Sequence, residues 1–151
     1  MTILGIDPGL TGGLAALTPE GRLLDVIEMP TLDREVDVWE VLDFVLSWGE
    51  IPPRVCIERQ QSMPKQGVAS TFKTGMNYGL LLGCLRAKQV PLHVVRSTEW
   101  KPTFHLTGKD KDASRAAASD LWPNERENWR LVRQDGVAEA ALIAEHFRRL
   151  G

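Results

Sequence analysis

Residues Ile3-Leu4-Gly5-Ile6 form an apolar run that stops on Asp7, and a second run, Gly13-Leu14-Ala15-Ala16-Leu17, begins after the turn-like Pro8-Gly9-Leu10-Thr11-Gly12. Two apolar runs joined by a glycine-rich turn predict a hairpin, with strands over 2–7 and 13–18. Thr18-Pro19-Glu20-Gly21 marks the next turn, and Val26-Ile27 keep a third strand, 22–28, apolar. Trp39, Val41-Leu42, Val45-Leu46 and Trp48 recur at helical spacing, so 35–49 reads as an amphipathic helix stopped by Pro52-Pro53. Val55-Cys56-Ile57 form a fourth strand ending on Glu58, and the polar stretch 59–67 is a loop. A long helix follows over 68–88; its Gly75, Gly79 and Gly83 recur every four residues along one stripe and read as a surface for close helix packing. Leu92-His93-Val94-Val95 predict a fifth strand, Thr98–Lys101 a helical turn, 111–121 a helix stopped by Pro123, and 136–149 the last helix. Three antiparallel strands followed by alternating helices and strands make an α/β domain around one mixed sheet.

A chain of 151 residues is the size of one domain with a real core, expected to span 1–151. The hydrophobic fraction of 43% and charged fraction of 25% are those of a soluble globular protein. No apolar stretch approaches the length of a membrane span, and no basic-then-apolar leader opens the chain, so the expectation is an intracellular protein without a membrane partner. Cys56 and Cys84 lack metal-type spacing and read as buried, reduced thiols. His93 alternates in a strand, His105 lies in a loop and His146 in the last helix, none in a catalytic pattern. The net charge of −2 is unevenly spread: residues 1–58 hold 3 Lys/Arg against 11 Asp/Glu, residues 59–130 hold 12 against 6, and residues 131–151 hold 3 against 3. The basic middle segment can present a phosphate-facing surface although the chain as a whole is acidic; two ordinary solvated surfaces would give the same counts.

Four acids carry the candidate chemistry. Asp7 ends the first strand and Glu58 the fourth, and strand ends are where side chains converge on a ligand crevice in α/β sheets. An ionised carboxylate at the end of an apolar strand is costly unless it is paired or holds a metal. Asp135 and Glu139 lie four apart and share a face if the last helix begins by Asp135, while Ala138, Ala140 and Ala141 keep that helix thin enough to lie close to the sheet. Each acid taken singly fits a surface charge or a helix end; the four together make a hard oxygen site suited to Mg²⁺ or Mn²⁺. Without a metal their mutual repulsion raises some of their pKa values.

The segments Gly5-Ile6-Asp7-Pro8-Gly9, Cys56-Ile57-Glu58 and Asp135-Gly136-Val137-Ala138-Glu139-Ala140-Ala141-Leu142-Ile143-Ala144 resemble the RuvC family of Holliday junction resolvases, in the ribonuclease H-like superfamily. Met63-Pro64-Lys65-Gln66-Gly67-Val68-Ala69-Ser70-Thr71-Phe72 with Gly75 is similar to the segment after the strand-four glutamate in the family's bacteriophage branch. Trp100-Lys101 and Gly108-Lys109-Asp110-Lys111 resemble the basic segment before its penultimate helix. The resemblance runs in order over essentially the whole chain. It implies a ribonuclease H-like domain with a central mixed five-stranded sheet flanked by helices. It further implies a crossover junction endonuclease that acts as a homodimer on four-way DNA junctions, in the cytoplasm of a bacterial host if phage-encoded, and leaves 5′-phosphate and 3′-hydroxyl ends. Asp7, Glu58, Asp135 and Glu139 would hold Mg²⁺ or Mn²⁺, two ions per site, with Asp7 central. Lys101 or Lys111 would neutralise charge on the phosphate or grip its neighbour. Arg59, Gln60, Met63, Lys65, Lys73, Lys101, Lys109, Lys111 and Arg115 would contact DNA, and Met63 or Phe72 would wedge at the crossover, Phe72 otherwise being a core residue of its helix. Helix 68–88, with its glycine stripe and Leu80-Leu81-Leu82, is the candidate dimer face.

The last two acids are three apart in bacterial members and four apart here; either spacing projects from one helical face. Three other readings compete. Sugar kinases and actin-like ATPases also begin with a strand, an Asp and a glycine-rich turn, but need a second phosphate loop and a second lobe that 151 residues do not hold. A ribonuclease H-like nuclease for hybrids or other branched DNA keeps the same acids, whereas a non-catalytic junction-binding module requires none of them.

Overall fold

In the computed structural model, which describes all 151 residues, the first apolar run becomes β1 (Ile3–Asp7) at the centre of a five-stranded sheet. The glycine-rich turn folds β2 (Gly13–Leu17) back antiparallel so that Asp7 pairs with Gly13, and β3 (Leu23–Glu28) adds antiparallel outside it with a register shift at Ala16/Leu17. Here the sequence pattern and the structure part. The helix expected from 35 begins later, because Thr31–Leu32 (β4) and Glu35–Val36 (β5) pair as a small hairpin. Its turn places Asp33 and Arg34 at φ 51° and 63°. The Val36 N–H donates to Asn77 Oδ1 at 2.9 Å, fixing the second strand. The Asp37 carboxylate then accepts from the backbone N–H of Trp39 and Glu40, and such a cap sets a helix start, so α1 runs over Val38–Leu46.

The rest follows the predicted order. β6 (Arg54–Glu58) leads through the 59–67 segment to α2 (Val68–Ala87), then to β7 (Leu92–Val95) and α3 (Ser97–Trp100), which continues as a 3₁₀ turn over Lys101–Phe104. After α4 (Lys111–Leu121) come two 3₁₀ stretches that the pattern does not predict, Pro123–Trp129 and Val132–Gln134, and then α5 (Asp135–Arg149). The indole N–H groups of Trp122 and Trp129 pin the first of these stretches by donating to the Gly21 carbonyl and to Ser119 Oγ. The sheet order is β3-β2-β1-β6-β7, antiparallel across the first three strands and parallel across the last three. It is an α/β fold with a mixed five-stranded sheet flanked by helices.

Strand alternation sorts the core into two layers. Ile3, Ala15, Leu17 and Cys56 face α5, with Trp100, Ala118 and Trp129 completing that side. Leu4, Ile6, Leu14, Val55 and Ile57 face the opposite side, against Val41 and Val45 of α1 and Leu81 and Leu85 of α2. The α5 side is tight at one point: a Cβ on Gly5 would stand 2.0 Å from the Ala140 carbonyl oxygen and 2.5 Å from the Ala144 nitrogen. A side chain there would push the helix off the strand. At the other end of the seam Gly136 meets the Thr11 carbonyl, where a Cβ would lie at 2.3 Å.

The glycine stripe of α2 behaves otherwise. Built Cβ atoms on Gly75, Gly79 and Gly83 meet nothing within 4 Å, so these glycines pack against no other part of the chain. Cys56 is buried, and desolvation pushes its thiol up to about 12; Cys84 is only half-buried, and both are free. No helix is long and apolar enough to cross a membrane.

Candidate active site

β1 and β6 are parallel neighbours in register, Ile6 opposite Ile57, so their last residues Asp7 and Glu58 end side by side. Both stand two residues beyond positions that face α5 (Gly5 and Cys56), so both project to the α5 side of the sheet. α5 begins at Asp135, one residue earlier than the pattern indicates, which puts Asp135 and Glu139 one turn apart. The close seam at Gly5 and Gly136 lays this part of α5 over the ends of β1 and β2.

The electrostatics show which acids meet. The Asp7 carboxyl is pushed up to about 7 from an ordinary 3.8, first by burial, then by the negative charges of Glu139 and Glu58. The Gly9 backbone N–H, at a long 3.4 Å from Asp7 Oδ1, and Lys111 oppose the shift only in part. Glu58 is raised by burial, with Glu139 adding to it, against the lowering influence of the Trp100 indole and of Lys101. Asp7, Glu58 and Glu139 thus form one repelling group from three elements, with Lys101 and Lys111 in electrostatic reach. Each outer carboxylate has one fixed donor. Trp100 Nε1 donates to Glu58 Oε2 at 2.5 Å, and Ser114 Oγ donates to Glu139 Oε1 at 3.0 Å.

Asp135 is not part of that group. Its Oδ1 lies 2.8 Å from Arg115 Nε in a buried charge pair, although the angle is too poor for an aligned hydrogen bond and neither atom has another partner. Arg115 also pairs with Asp112 and donates to the Arg130 carbonyl at 3.1 Å. Arg115, expected to contact DNA, is held in the free chain by two carboxylates and a carbonyl.

The acids, His and Cys are not drawn into any ready-made cluster of three metal ligands. The donor set nonetheless fits a hard divalent ion. It is all oxygen, and Asp7 lacks a compensating positive charge in contact, which a cation beside it would supply. Glu58 and Glu139 are the carboxylates whose charges act on Asp7, and Asp135 has its Oδ1 taken by Arg115.

A pocket of about 160 Å³ opens beside Glu58, lined by Arg59, Gln60, Gln61, Met63, Arg96, Ser97 and Thr98. A second, of about 200 Å³, lies between the Pro8–Thr11 turn and α2 and is lined by Gln60, Ser70, Lys73, Thr74 and Asn77 among others. Gln60 borders both, so the polar segment after Glu58 stands between a depression beside Glu58 and one beside the turn that follows Asp7. Met63 and Phe72 are exposed, which rules out the core role for Phe72. Lys65, in a left-handed turn at φ 66°, and Lys109 are exposed as well. His146 is buried with Nδ1 2.8 Å from Thr103 Oγ1, and His93 stacks on Phe147, both away from the acids. Sequence reasoning missed Trp100, Ser114 and Arg96. Trp100 adjoins Lys101 in a motif already noted, whereas nothing in the sequence marks Ser114.

No protein-family model matches this chain, and no curated protein matches it in sequence. Solved structures do match. The chain superposes over its full length on T. thermophilus RuvC in complex with Holliday junction substrate, with a TM-score of 0.71, 20% identity and 96% of that chain covered. A second Thermus thermophilus RuvC structure gives a TM-score of 0.66 and 23% identity, with 97% of that chain covered. Over its whole length this chain has the RuvC fold.

Proposed function

We propose that this chain is a divalent-metal-dependent endodeoxyribonuclease of the RuvC type, a single nuclease domain over 1–151 that resolves four-way DNA junctions as a homodimer. The reading rests above all on the convergence of Asp7, Glu58 and Glu139, with Asp7 held up to about 7, at the strand ends of a RuvC fold. Divalent Mg²⁺ or Mn²⁺, two ions per site, would supply Lewis-acid stabilisation of the scissile phosphate and a more acidic water.

The chain's own residues do the rest. Asp7, on the central strand, is the most rigidly placed ligand, and Glu58 and Glu139 flank it. Asp135, whose Oδ1 pairs with Arg115, would complete the set. Lys101 and Lys111 offset negative charge on the phosphate. Arg59, Gln60 and Lys73 line the two pockets and, with exposed Lys65 and Lys109, would hold the backbone, while exposed Met63 and Phe72 would supply apolar wedges. The α2 face bearing Gly75, Gly79 and Gly83, open in the isolated chain, would seat the second copy, and a two-fold axis would then relate two symmetric nicks. Ends with 5′-phosphate and 3′-hydroxyl, a bacteriophage source and action in a bacterial cytoplasm belong to the same reading.

The test is a labelled synthetic four-way junction beside a linear duplex of the same sequence, each with and without Mg²⁺ or Mn²⁺. Paired nicks confined to the junction and to the metal-containing lanes are expected. Metal-dependent cutting of an RNA–DNA hybrid in preference to the junction would point to another nuclease, and binding without cleavage would refute an enzymatic role.

A further inference from the structure

The tryptophan at position 100 makes a contact that core packing does not require. Its ring is wholly buried, yet its N–H reaches neither a backbone carbonyl, as Trp122 does, nor a hydroxyl, as Trp129 does. It donates instead to Glu58 Oε2, at 2.5 Å. An indole nitrogen can only donate, so the bond has one possible direction and occupies one lone pair of Oε2, leaving the remaining lone pairs of the carboxylate for a cation. A donor to an ionised carboxylate makes a short, charge-assisted bond that holds the acceptor in one rotamer. The face of the same ring lies 5.5 Å from Lys101 Nζ. One rigid group, on an element that carries none of the acids, therefore touches both a candidate ligand and a candidate phosphate-binding lysine.

We infer that Trp100 is a positioning residue for the reaction, fixing the Glu58 carboxylate through its indole N–H so that a divalent ion meets a preorganised oxygen. This rests on the nuclease reading above. Groups that orient metal ligands from behind typically change metal affinity or activity about 10–100-fold when removed.

The decisive variant replaces Trp100 with benzothienylalanine, which keeps the ring shape and exchanges the N–H for sulfur; Trp100→Phe is made beside it. Four quantities are read: the Mn²⁺ dissociation constant from the resonance signal of free Mn²⁺, junction affinity without metal, kcat with KM, and the melting temperature. The expected result for the analogue is Mn²⁺ binding weakened about tenfold and kcat lowered about 10–100-fold, with KM, metal-free junction affinity and melting temperature unchanged. An analogue with wild-type Mn²⁺ affinity and kcat overturns the inference, because a purely packing role survives the exchange. Trp100→Phe should show the same kcat loss if it folds; if it does not, the analogue decides alone. A wild type that neither binds Mn²⁺ nor cuts overturns the nuclease reading and this inference with it, whereas an active wild type beside an equally active analogue overturns this inference only.

Discussion

Replacing Asp7 with asparagine separates what this carboxylate contributes to the reaction from what it costs the fold. The folded carboxyl ionises near 7, against an ordinary 3.8. Between those two values the unfolded chain has released its proton while the folded one retains it. Stability therefore falls as pH rises through that window and levels off above it. A difference of about 3 units at 1.36 kcal/mol each sets a ceiling of about 4 kcal/mol, and partial solvent contact of the Asp7 side chain halves the working figure to about 2 kcal/mol. Asparagine has the same shape and no charge. Asp7→Asn should thus gain about 2 kcal/mol at pH 8, or about 4–8 °C in melting temperature for a chain of this size, and under about 1 kcal/mol at pH 4. Urea titrations of both proteins at the two pH values, in chelator, measure the difference. Added Mg²⁺ at pH 8 should then stabilise the wild type and not the variant. Cleavage should vanish while junction binding stays intact or tightens, since a negative charge facing phosphates is gone. Equal gains at pH 4 and pH 8, or a loss at pH 8, would refute the uncompensated acid. Substantial residual cutting would remove Asp7 from the centre of the mechanism.

Asp135→Asn and Glu139→Gln should each slow junction cleavage at least ~100-fold, the scale of losing an essential electrostatic contact, with Glu139→Gln partly restored by Mn²⁺. A wild-type rate for Glu139→Gln in Mg²⁺ would make Glu139 structural. Gly5→Ala drives a methyl into the Ala140 carbonyl and should lower the unfolding free energy by about 1–3 kcal/mol or more, read from the urea midpoint, and lower cleavage with it. An unmoved midpoint would disprove the seam. Sedimentation should give twice the 16.8 kDa chain mass for the wild type and a monomer for Gly79→Asp, and a wild-type monomer that still makes paired nicks would exclude the dimer.

What could be read in advance was whatever a local pattern encodes. β1, β2, β7 and α4 fall within a residue of their predicted ends, because apolar runs and glycine or proline stops fix them. The start of α1 was misplaced, since it depends on Asn77, forty-one residues further along, accepting from Val36. The 3₁₀ stretch Pro123–Trp129 escaped for the same reason, its anchors being Gly21 and Ser119. Among the acids, strand ends and helical spacing were legible. That Arg115 would pair with Asp135 was not, because an ion pair between α4 and α5 leaves no periodic trace. The stripe at Gly75, Gly79 and Gly83 was legible as a small-residue face, but its periodicity carries no information on whether the matching surface belongs to the same chain.

The backbone contact between β1 and α5 at Gly5 bears on how this protein loses activity. Amides in the central strand and in the middle of a helix pressed against it exchange with solvent only when the whole molecule opens. Two of the three converging acids, Asp7 and Glu139, are carried by those elements. Deuterium uptake at Ile3–Asp7 and Ala140–Ala144 should therefore share one slow rate equal to that of global unfolding. Fraying or a local melt has no means of disabling the acids while the rest stays folded, so inactivation by heat or urea is as cooperative as unfolding itself. The 59–67 segment has no such anchor, and its exchange can be fast. Substitutions there should leave the cooperativity of unfolding unchanged, even where they alter junction affinity under the proposed function.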